Sequence, residues 1–373
     1  MATVFEPRIR DAVSLMHREG MQAMLLTDPV NIRYFTGYWT ILSGKSPTAL
    51  VIDSVGKTKV FFPALEGQSL QDMGAHLDEA YPWRVYSLTV SESVVSPRTF
   101  SARLREVMEG FPTGCTLGTD ENTGIDPAVV LKGIRQAPVS RSLAALRLVK
   151  RSEELRDLER SFNICAIAVD SARRGITAGV TETHLAGLIA QGILGNGGLA
   201  AHIVIGSGPR AAMAHPLPTG RKIGVHDPVM IDIGVVYNGY WTELARTYVI
   251  EPTQEWVTRH ELVKRAQSAG VKAIRIGARA CDVDLTIREV FAQAGYDGKY
   301  FTHSAGHGCG LMGADGPSIS PSDEGLLEAP SVWSLEPALY FSGEGGVRLE
   351  DAFLLDREGQ VRPLMAVPYD LKP

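Results

Sequence analysis

Val229-Met230-Ile231-Asp232-Ile233-Gly234 places a single carboxylate inside an otherwise apolar, strand-like run. A second strand-like run follows after a short break, and residues 239–247 carry their own acid, Glu243. A carboxylate on a buried strand is unfavourable unless it is paired with a cation or bound to a metal ion. The two runs therefore indicate strands that carry functional acids in the C-terminal half of the chain.

Two further segments place acids or histidines in similar surroundings. Residues 303–310 read His-Ser-Ala-Gly-His-Gly-Cys-Gly, and Glu336 and Glu350 follow in strand-like sequence. One such acid alone would more often be a satisfied core carboxylate. Three of them, Asp232 included, together with the glycine-flanked His307 favour a chemical site over a structural one.

The composition is that of a globular protein. The 373 residues are 45% apolar and 21% charged, and this length suggests two or three domains. A formal charge of −5 and the lack of a long Lys/Arg run argue against nucleic-acid binding.

The sequence also bears on the location of the protein. Charges near the N-terminus argue against a signal peptide. Glycines interrupt the most apolar long stretch, residues 185–206, which argues against a membrane helix. Four scattered cysteines indicate free thiols in a reducing compartment, so we expect a cytoplasmic protein. Since no stretch reads as a membrane helix, we expect no membrane partner.

The order of apolar runs predicts two domains. An amphipathic helix followed by apolar runs at 23–26, 49–53 and 59–62, and a helix at 101–108, predict an α/β layer of about 140 residues. From Ser152, a candidate N-cap, apolar residues recur at helical spacing and predict a long helix that opens the second domain. Within that domain, the glycine-led segment at 178–197 resembles residues 276–295 at an offset of 98 residues, which indicates a duplicated α+β unit.

These residues resemble the creatinase, prolidase, aminopeptidase P and methionine aminopeptidase family. Asp232 and Glu243 stand 11 residues apart, His307 and Glu336 stand 29 apart, and Glu336 and Glu350 stand 14 apart, which is similar to the spacing in prolidases. Residues 26–37 also resemble the N-terminal domain of this family. The resemblance implies an α+β fold, in which a smaller creatinase-type α/β domain at 1–145 precedes a pita-bread catalytic domain at 146–373.

The resemblance also implies a metal site formed by Asp232, Glu243, His307, Glu336 and Glu350. Asp232 would chelate one ion, His307 and Glu336 would bind the other, and Glu243 and Glu350 would bridge the two. Four carboxylates and one imidazole suit two divalent ions, drawn from Mn²⁺, Co²⁺, Fe²⁺ and Zn²⁺, better than copper.

Residues that would face the substrate follow from the same resemblance. His215 lies 17 residues before Asp232, where the family has a substrate-facing histidine, and we expect it to act in catalysis together with Glu336. The candidate substrate-binding residues are His202, Trp241, His303 and Arg348. Trp241 could equally pack in the core, and for Arg348 the orientation of a neighbouring carboxylate is favoured over contact with the substrate.

Two positions depart from the peptidase pattern. Glu243 stands where the metallopeptidases have aspartate, and its extra methylene moves the carboxylate by roughly 1.5 Å. Ala314 stands seven residues beyond His307, where the family has a second histidine that would assist proton transfer. His303 or His202 could replace it.

Three functions are compatible with these observations. The first is a metal-dependent hydrolase of a C–N bond, similar to Xaa-Pro dipeptidases and acting on a dipeptide or other small molecule. The second is a small-molecule enzyme on the same fold, such as a creatinase-like amidinohydrolase, an ectoine-derivative hydrolase or a sulfonium-compound lyase. The third is a catalytically inactive binding module. The resemblance further implies a homodimer.

Overall fold

The computed structural model describes residues 4–42, 45–84, 98–120, 133–311 and 313–373. The chain divides into two compact units, Met1–Leu146 and Arg147–Pro373. Among the described helices, none combines the length and the apolar character needed to cross a membrane.

The first unit is a mixed sheet with helices. Its strands are ordered β4-β3-β2-β1-β5-β6, and β1 pairs antiparallel with β2 but parallel with β5. The predicted strands at 23–26, 49–53 and 59–62 and the predicted helix at 101–108 are confirmed. The elements are α1 (Phe5–Glu19), β1 (Ala23–Leu26), α2 (Pro29–Thr36), β2 (Ala49–Asp53), β3 (Thr58–Pro63), α3 (Gly67–Asp72), β4 (Glu79–Trp83), α4 (Phe100–Met108), β5 (Thr116–Thr119), β6 (Arg135–Pro138) and α5 (Ser140–Leu148).

A buried carboxylate organises the N-terminal motif at residues 26–37. Asp120, 2% exposed, accepts hydrogen bonds from the backbone N–H groups of Thr27 and Asp28 and from the side-chain amide of Asn31. Asp28 in turn caps α2 by accepting from the Val30 N–H at 2.8 Å. The motif therefore holds the junction between β1 and α2.

The second unit contains an eight-stranded antiparallel sheet and two helix pairs. The strand order is β16-β15-β12-β10-β9-β8-β7, with β11 paired to β10, and β13 and β14 form a separate ribbon. The elements are α6 (Ser152–Gly175), α7 (Glu182–Gly195), β7 (Leu199–Ser207), β8 (Val229–Tyr237), β9 (Tyr240–Tyr248), α8 (Gln254–Ala273), α9 (Ala280–Gln293), β10 (Gly306–Leu311), β11 (Gly313–Ile319), β12 (Ser331–Leu335), β13 (Ala338–Phe341), β14 (Gly345–Arg348), β15 (Asp351–Leu355) and β16 (Val361–Pro363).

The cap of α6 differs from the sequence prediction. Ser152 is the first helical residue, and Arg151 is the N-cap. The Arg151 N–H donates to the Glu154 carboxylate at 2.9 Å, so the Glu154 side chain, three residues into the helix, satisfies the backbone donor of the N-cap residue.

The internal repeat appears as two matching helices. Helix α7 (182–195) and helix α9 (280–293) have equal length and lie 98 residues apart. Each follows a glycine with positive φ, Gly179 at 87° and Gly277 at 77°, where a side chain would be strained. The faint sequence similarity therefore corresponds to a repeated turn and helix.

Candidate metal centre

The five candidate ligands lie on or beside neighbouring strands of the second sheet. Asp232 lies on β8, Glu243 on β9 and His307 on β10, and these three strands are adjacent. Glu336 directly follows β12, and Glu350 directly precedes β15 and forms an isolated bridge to Ala245 of β9. Antiparallel pairing thus brings together residues that are more than a hundred positions apart in the chain.

Three of the five form a compact group of donors. Glu243, His307 and Glu350 each offer one ligand atom, and these atoms lie within 4.8 Å of one another. His307 Nε2 lies 2.7 Å from Glu243 Oε2, and its Nδ1 lies 3.1 Å from the Gly308 carbonyl oxygen. A proton on Nδ1 would be held by that carbonyl, which leaves Nε2 available to a metal ion. Ser334 donates a hydrogen bond to Glu350 Oε1 at 2.7 Å and orients that carboxylate.

The electrostatics of this group fit a divalent cation. Burial raises the pKa of Glu350 well above its usual range, and the charges of Glu243, Asp232 and Glu336 raise it further. Burial also raises the pKa of Glu336 to about 7, against the opposing effect of Arg348 and His307. Crowded, buried carboxylates of this kind repel one another, and a bound cation would relieve the repulsion.

Asp232 lies outside the compact group within the described part of the chain. One of its oxygens, Oδ1, lies 3.0 Å from His202 Nε2, and Oδ2 accepts a hydrogen bond from Arg348. Burial alone would raise the pKa of Asp232, but Arg348 and His202 outweigh this effect and hold it below its usual range. Both oxygens of the expected chelating ligand thus have partners from the protein.

Glu336 also lies outside the group. Its Oε2 lies 3.9 Å from His303 Nδ1, and its backbone N–H donates to the Ala305 carbonyl. The structure therefore places Glu336 beside the donors, with a carboxyl group that can hold a proton near neutral pH.

Arg348 is buried and forms a polar network with Tyr340 and His303. Its Nε donates to Tyr340 Oη at 3.0 Å, and Tyr340 Oη lies 2.9 Å from His303 Nε2. The other nitrogens of Arg348 donate to Asp232 and Tyr340, so Arg348 contacts a neighbouring carboxylate, as the sequence favours. Sequence reasoning missed Tyr340, because an aromatic residue in an apolar run looks like ordinary core packing.

His202 and Trp241 lie on the same side of the centre. Their ring centroids are 6.0 Å apart, and His202 Nδ1 lies 3.7 Å from Glu243 Oε1. Trp241 Nε1 is buried and has no hydrogen-bond partner among the described residues. Trp241 therefore lies beside the site, and its indole N–H is available to donate a hydrogen bond.

The remaining histidines differ in their environment. His215 is exposed and follows β7, and its charge contributes to lowering the pKa of His303. Burial, then Arg348, lower the pKa of His303 to about 4, so this side chain is neutral at neutral pH. Ala314 is exposed on β11, opposite Cys309.

Fold and site together define a two-unit enzyme of the creatinase/prolidase type. The model of the creatinase/prolidase N-terminal domain matches residues 8–149, and that of metallopeptidase family M24 matches residues 156–357. The chain belongs to metallopeptidase family M24, and the α+β fold class expected from the sequence is confirmed.

Relatives cover almost the whole chain. An uncharacterized peptidase of Staphylococcus aureus strain USA300 is 26% identical over 362 residues, which span 94% of this chain and 97% of the relative. The prolidase from Thermococcus sibiricus is 25% identical, with a TM-score of 0.85 and complete coverage of both chains. Dipeptidase PepE from Mycobacterium ulcerans is 28% identical, with a TM-score of 0.82 over 99% of this chain and 97% of that one.

Proposed function

We propose that this protein is a metal-dependent hydrolase of a C–N bond, of the Xaa-Pro dipeptidase type. The observation that carries the proposal is the compact group of Glu243, His307 and Glu350 in an M24 fold. Two solved relatives with this fold are a prolidase and a dipeptidase, and both cover nearly the whole chain. A dipeptide is therefore the substrate class that we favour.

We infer the following roles for the protein side chains. Glu336, with a pKa of about 7, can accept a proton from the attacking water and return it to the leaving nitrogen. His215 can donate a hydrogen bond to the substrate oxygen as negative charge develops there. Arg348 holds Asp232 in place. A divalent ion held by Glu243, His307 and Glu350 would supply polarisation of the scissile carbonyl.

The second candidate is a small-molecule hydrolase on the same fold. Ala314 removes a proton-transfer histidine, and His202 contacts Asp232 directly, so the site differs from the expected peptidase arrangement. An inactive binding module is a weaker candidate, because such modules would not need to keep three converging donors.

Two measurements separate these functions. Elemental analysis of protein purified without chelator should find a divalent first-row ion, and rates on Xaa-Pro dipeptides should exceed those on guanidino and ureido compounds. Protein with less than about a tenth of an equivalent, and with no activation by Mn²⁺, Co²⁺ or Zn²⁺, would contradict metal dependence. Turnover of only the guanidino or ureido compounds would instead support the second candidate.

The expected assembly and location also remain proposals. We propose a homodimer, which light scattering coupled to gel filtration would measure. We also propose a reducing compartment, since all four cysteines are free thiols in the structure.

A further inference from the structure

His202 occupies a position between two of the expected metal ligands. Its Nε2 lies 3.0 Å from Asp232 Oδ1, and its Nδ1 lies 3.7 Å from Glu243 Oε1. By the family resemblance, Asp232 and Glu243 would together bind the first of two ions. The imidazole thus contacts both carboxylates that this ion would need.

The fold directs His202 into this position. The pairing of β7 with β8 shifts in register between Ala200 and His202, and such a bulge re-aims the side chain that follows it. His202 then lies opposite Gly234, where a Cβ atom would come within 2.7 Å of the His202 ring and 2.6 Å of Trp241 Nε1. Because Gly234 has no side chain, the rings of His202 and Trp241 can pack directly against its backbone.

The remaining candidate ligands do not form a complete coordination site for a second metal ion. Asp232 uses its remaining oxygen for Arg348, which is itself buried and also bonded to Tyr340. Within the described residues, the donors that converge are Glu243, His307 and Glu350, and three donors from one protein suit a single ion with open positions for substrate.

We propose that His202 takes the place of the first metal ion, so that the centre binds one divalent ion at Glu243, His307 and Glu350. Asp232, paired with His202 and Arg348, is then a structural anion rather than a ligand. This inference rests on the proposed function, because it concerns the metal site of that same enzyme.

Metal stoichiometry tests the inference without reference to activity. Chelator-treated wild-type protein and the variants His202→Ala and His202→Asn would be titrated with Mn²⁺ by calorimetry and electron paramagnetic resonance. We expect about one equivalent and an isolated-ion spectrum for the wild type. Either variant, whichever folds by circular dichroism, should gain about one further, weaker equivalent with the coupled spectrum of two ions about 3.5–4 Å apart. His226→Ala, which alters an exposed histidine outside the site, is the matched control and should stay at about one equivalent.

Each contrary result has a distinct meaning. Two equivalents in the wild type would overturn the inference and leave the proposed function standing. Loss of the first equivalent in the His202 variants would show that His202 is a ligand, which overturns the inference, and so would variants that stay at one equivalent. A wild-type protein that binds no divalent ion would overturn both the inference and the proposed metal dependence.

Discussion

Glu243 is one methylene longer than the aspartate expected at this position, and the structure shows what the additional length reaches. Its Oε2 lies 2.7 Å from His307 Nε2, and the compact donor group is assembled around this contact. We therefore expect Glu243→Asp to withdraw the carboxylate from His307 and to weaken Mn²⁺ binding about tenfold or more. Calorimetric titration of both proteins measures this change.

The same variant should not create a better peptidase, because Ala314 still leaves the proton-transfer histidine missing. Rates on an Xaa-Pro dipeptide provide the comparison. A rate of dipeptide hydrolysis about tenfold or more higher in Glu243→Asp, equivalent to about 1.4 kcal/mol of barrier, would show instead that aspartate is the better residue for peptidase activity at this position.

His215 is expected to act on the substrate and not on the metal. It is exposed, it lies close enough to His303 to affect its pKa, and it is absent from the donor group. His215→Ala should lower kcat by about 10²–10³, the usual cost of removing one donor to a developing oxyanion, while metal content stays unchanged. His226→Ala serves as the exposed control, and wild-type kcat in His215→Ala would disprove the role.

At the residue scale, the sequence placed five side chains in one metal site, and the structure brings the ligand atoms of three of them, Glu243, His307 and Glu350, within 4.8 Å of one another. Glu243, His307 and Glu350 could be found as polar residues in apolar runs at family spacing. The contact between His202 and Asp232 could not, because it depends on a register shift in β7 that leaves no local pattern. Tyr340 looked like core packing in the sequence, because its contact with Arg348 depends on the pairing of β13 with β14.

At the level of elements, the segment that carries His215 is held by one buried carboxylate at the start of α7. Glu182, fully buried, accepts hydrogen bonds from the backbone and hydroxyl of Ser207 at one end and of Thr219 at the other. Arg210, between them, also contacts this carboxylate. Residues 207–219 thus form a loop fixed at both ends to a single side chain.

Loss of the Glu182 charge should therefore misplace His215. We expect Glu182→Gln to lower kcat about tenfold to a hundredfold, with metal stoichiometry unchanged, because small displacements of a catalytic group are costly. The free energy of unfolding should fall by about 1–3 kcal/mol. Glu289→Gln, an exposed position on α9, is the control. If Glu182→Gln lost stability but kept wild-type kcat in its folded fraction, the contacts of Glu182 with Ser207 and Thr219 would stabilise the fold without positioning His215.

The glycines around His307 illustrate a feature of strand packing that the sequence alone does not reveal. A Cβ atom at Gly308 would lie 1.8 Å from the Asp315 carbonyl oxygen, and one at Gly310 would lie 1.8 Å from the Asp315 carboxylate. The motif is thus required by close packing of β11 against β10 as well as by the site. A sequence shows that the glycines are present, but it does not show which neighbouring strand requires them.

For the whole molecule, the sequence predicted the types of elements better than their arrangement. Apolar periodicity located β2, β3 and α4 correctly, and the 98-residue offset located α7 and α9. The order of the eight strands in the second unit could not be derived, because each pairing joins segments far apart in the chain and no local pattern encodes them. The expected arrangement of these elements came from the family resemblance and not from apolar periodicity.

Metal binding and stability should be linked through His307. Burial alone would lower the pKa of His307, but the hydrogen bond to Glu243 and the charges of Glu243 and Glu336 raise it to about 9. In the metal-free protein, this raised pKa stabilises the fold fully below the unfolded value of about 6.5, and the contribution is lost as pH rises towards about 9. Over the same interval a metal ion that binds His307 must displace this proton, and the displacement costs less as pH rises, so the apparent metal affinity should increase about tenfold per pH unit for the one proton displaced.

Excess Mn²⁺ should therefore raise the melting temperature more at about pH 8.5 than at about pH 6.5, since the metal-free protein loses stability while metal affinity increases. Differential scanning calorimetry with and without Mn²⁺ at both pH values measures the two increments. His307→Asn, which removes the titrating ligand, should reduce both the increment and its dependence on pH. Equal increments for the wild type at the two pH values would mean that His307 does not exchange its proton for the ion, and the assignment of His307 as a ligand would fail.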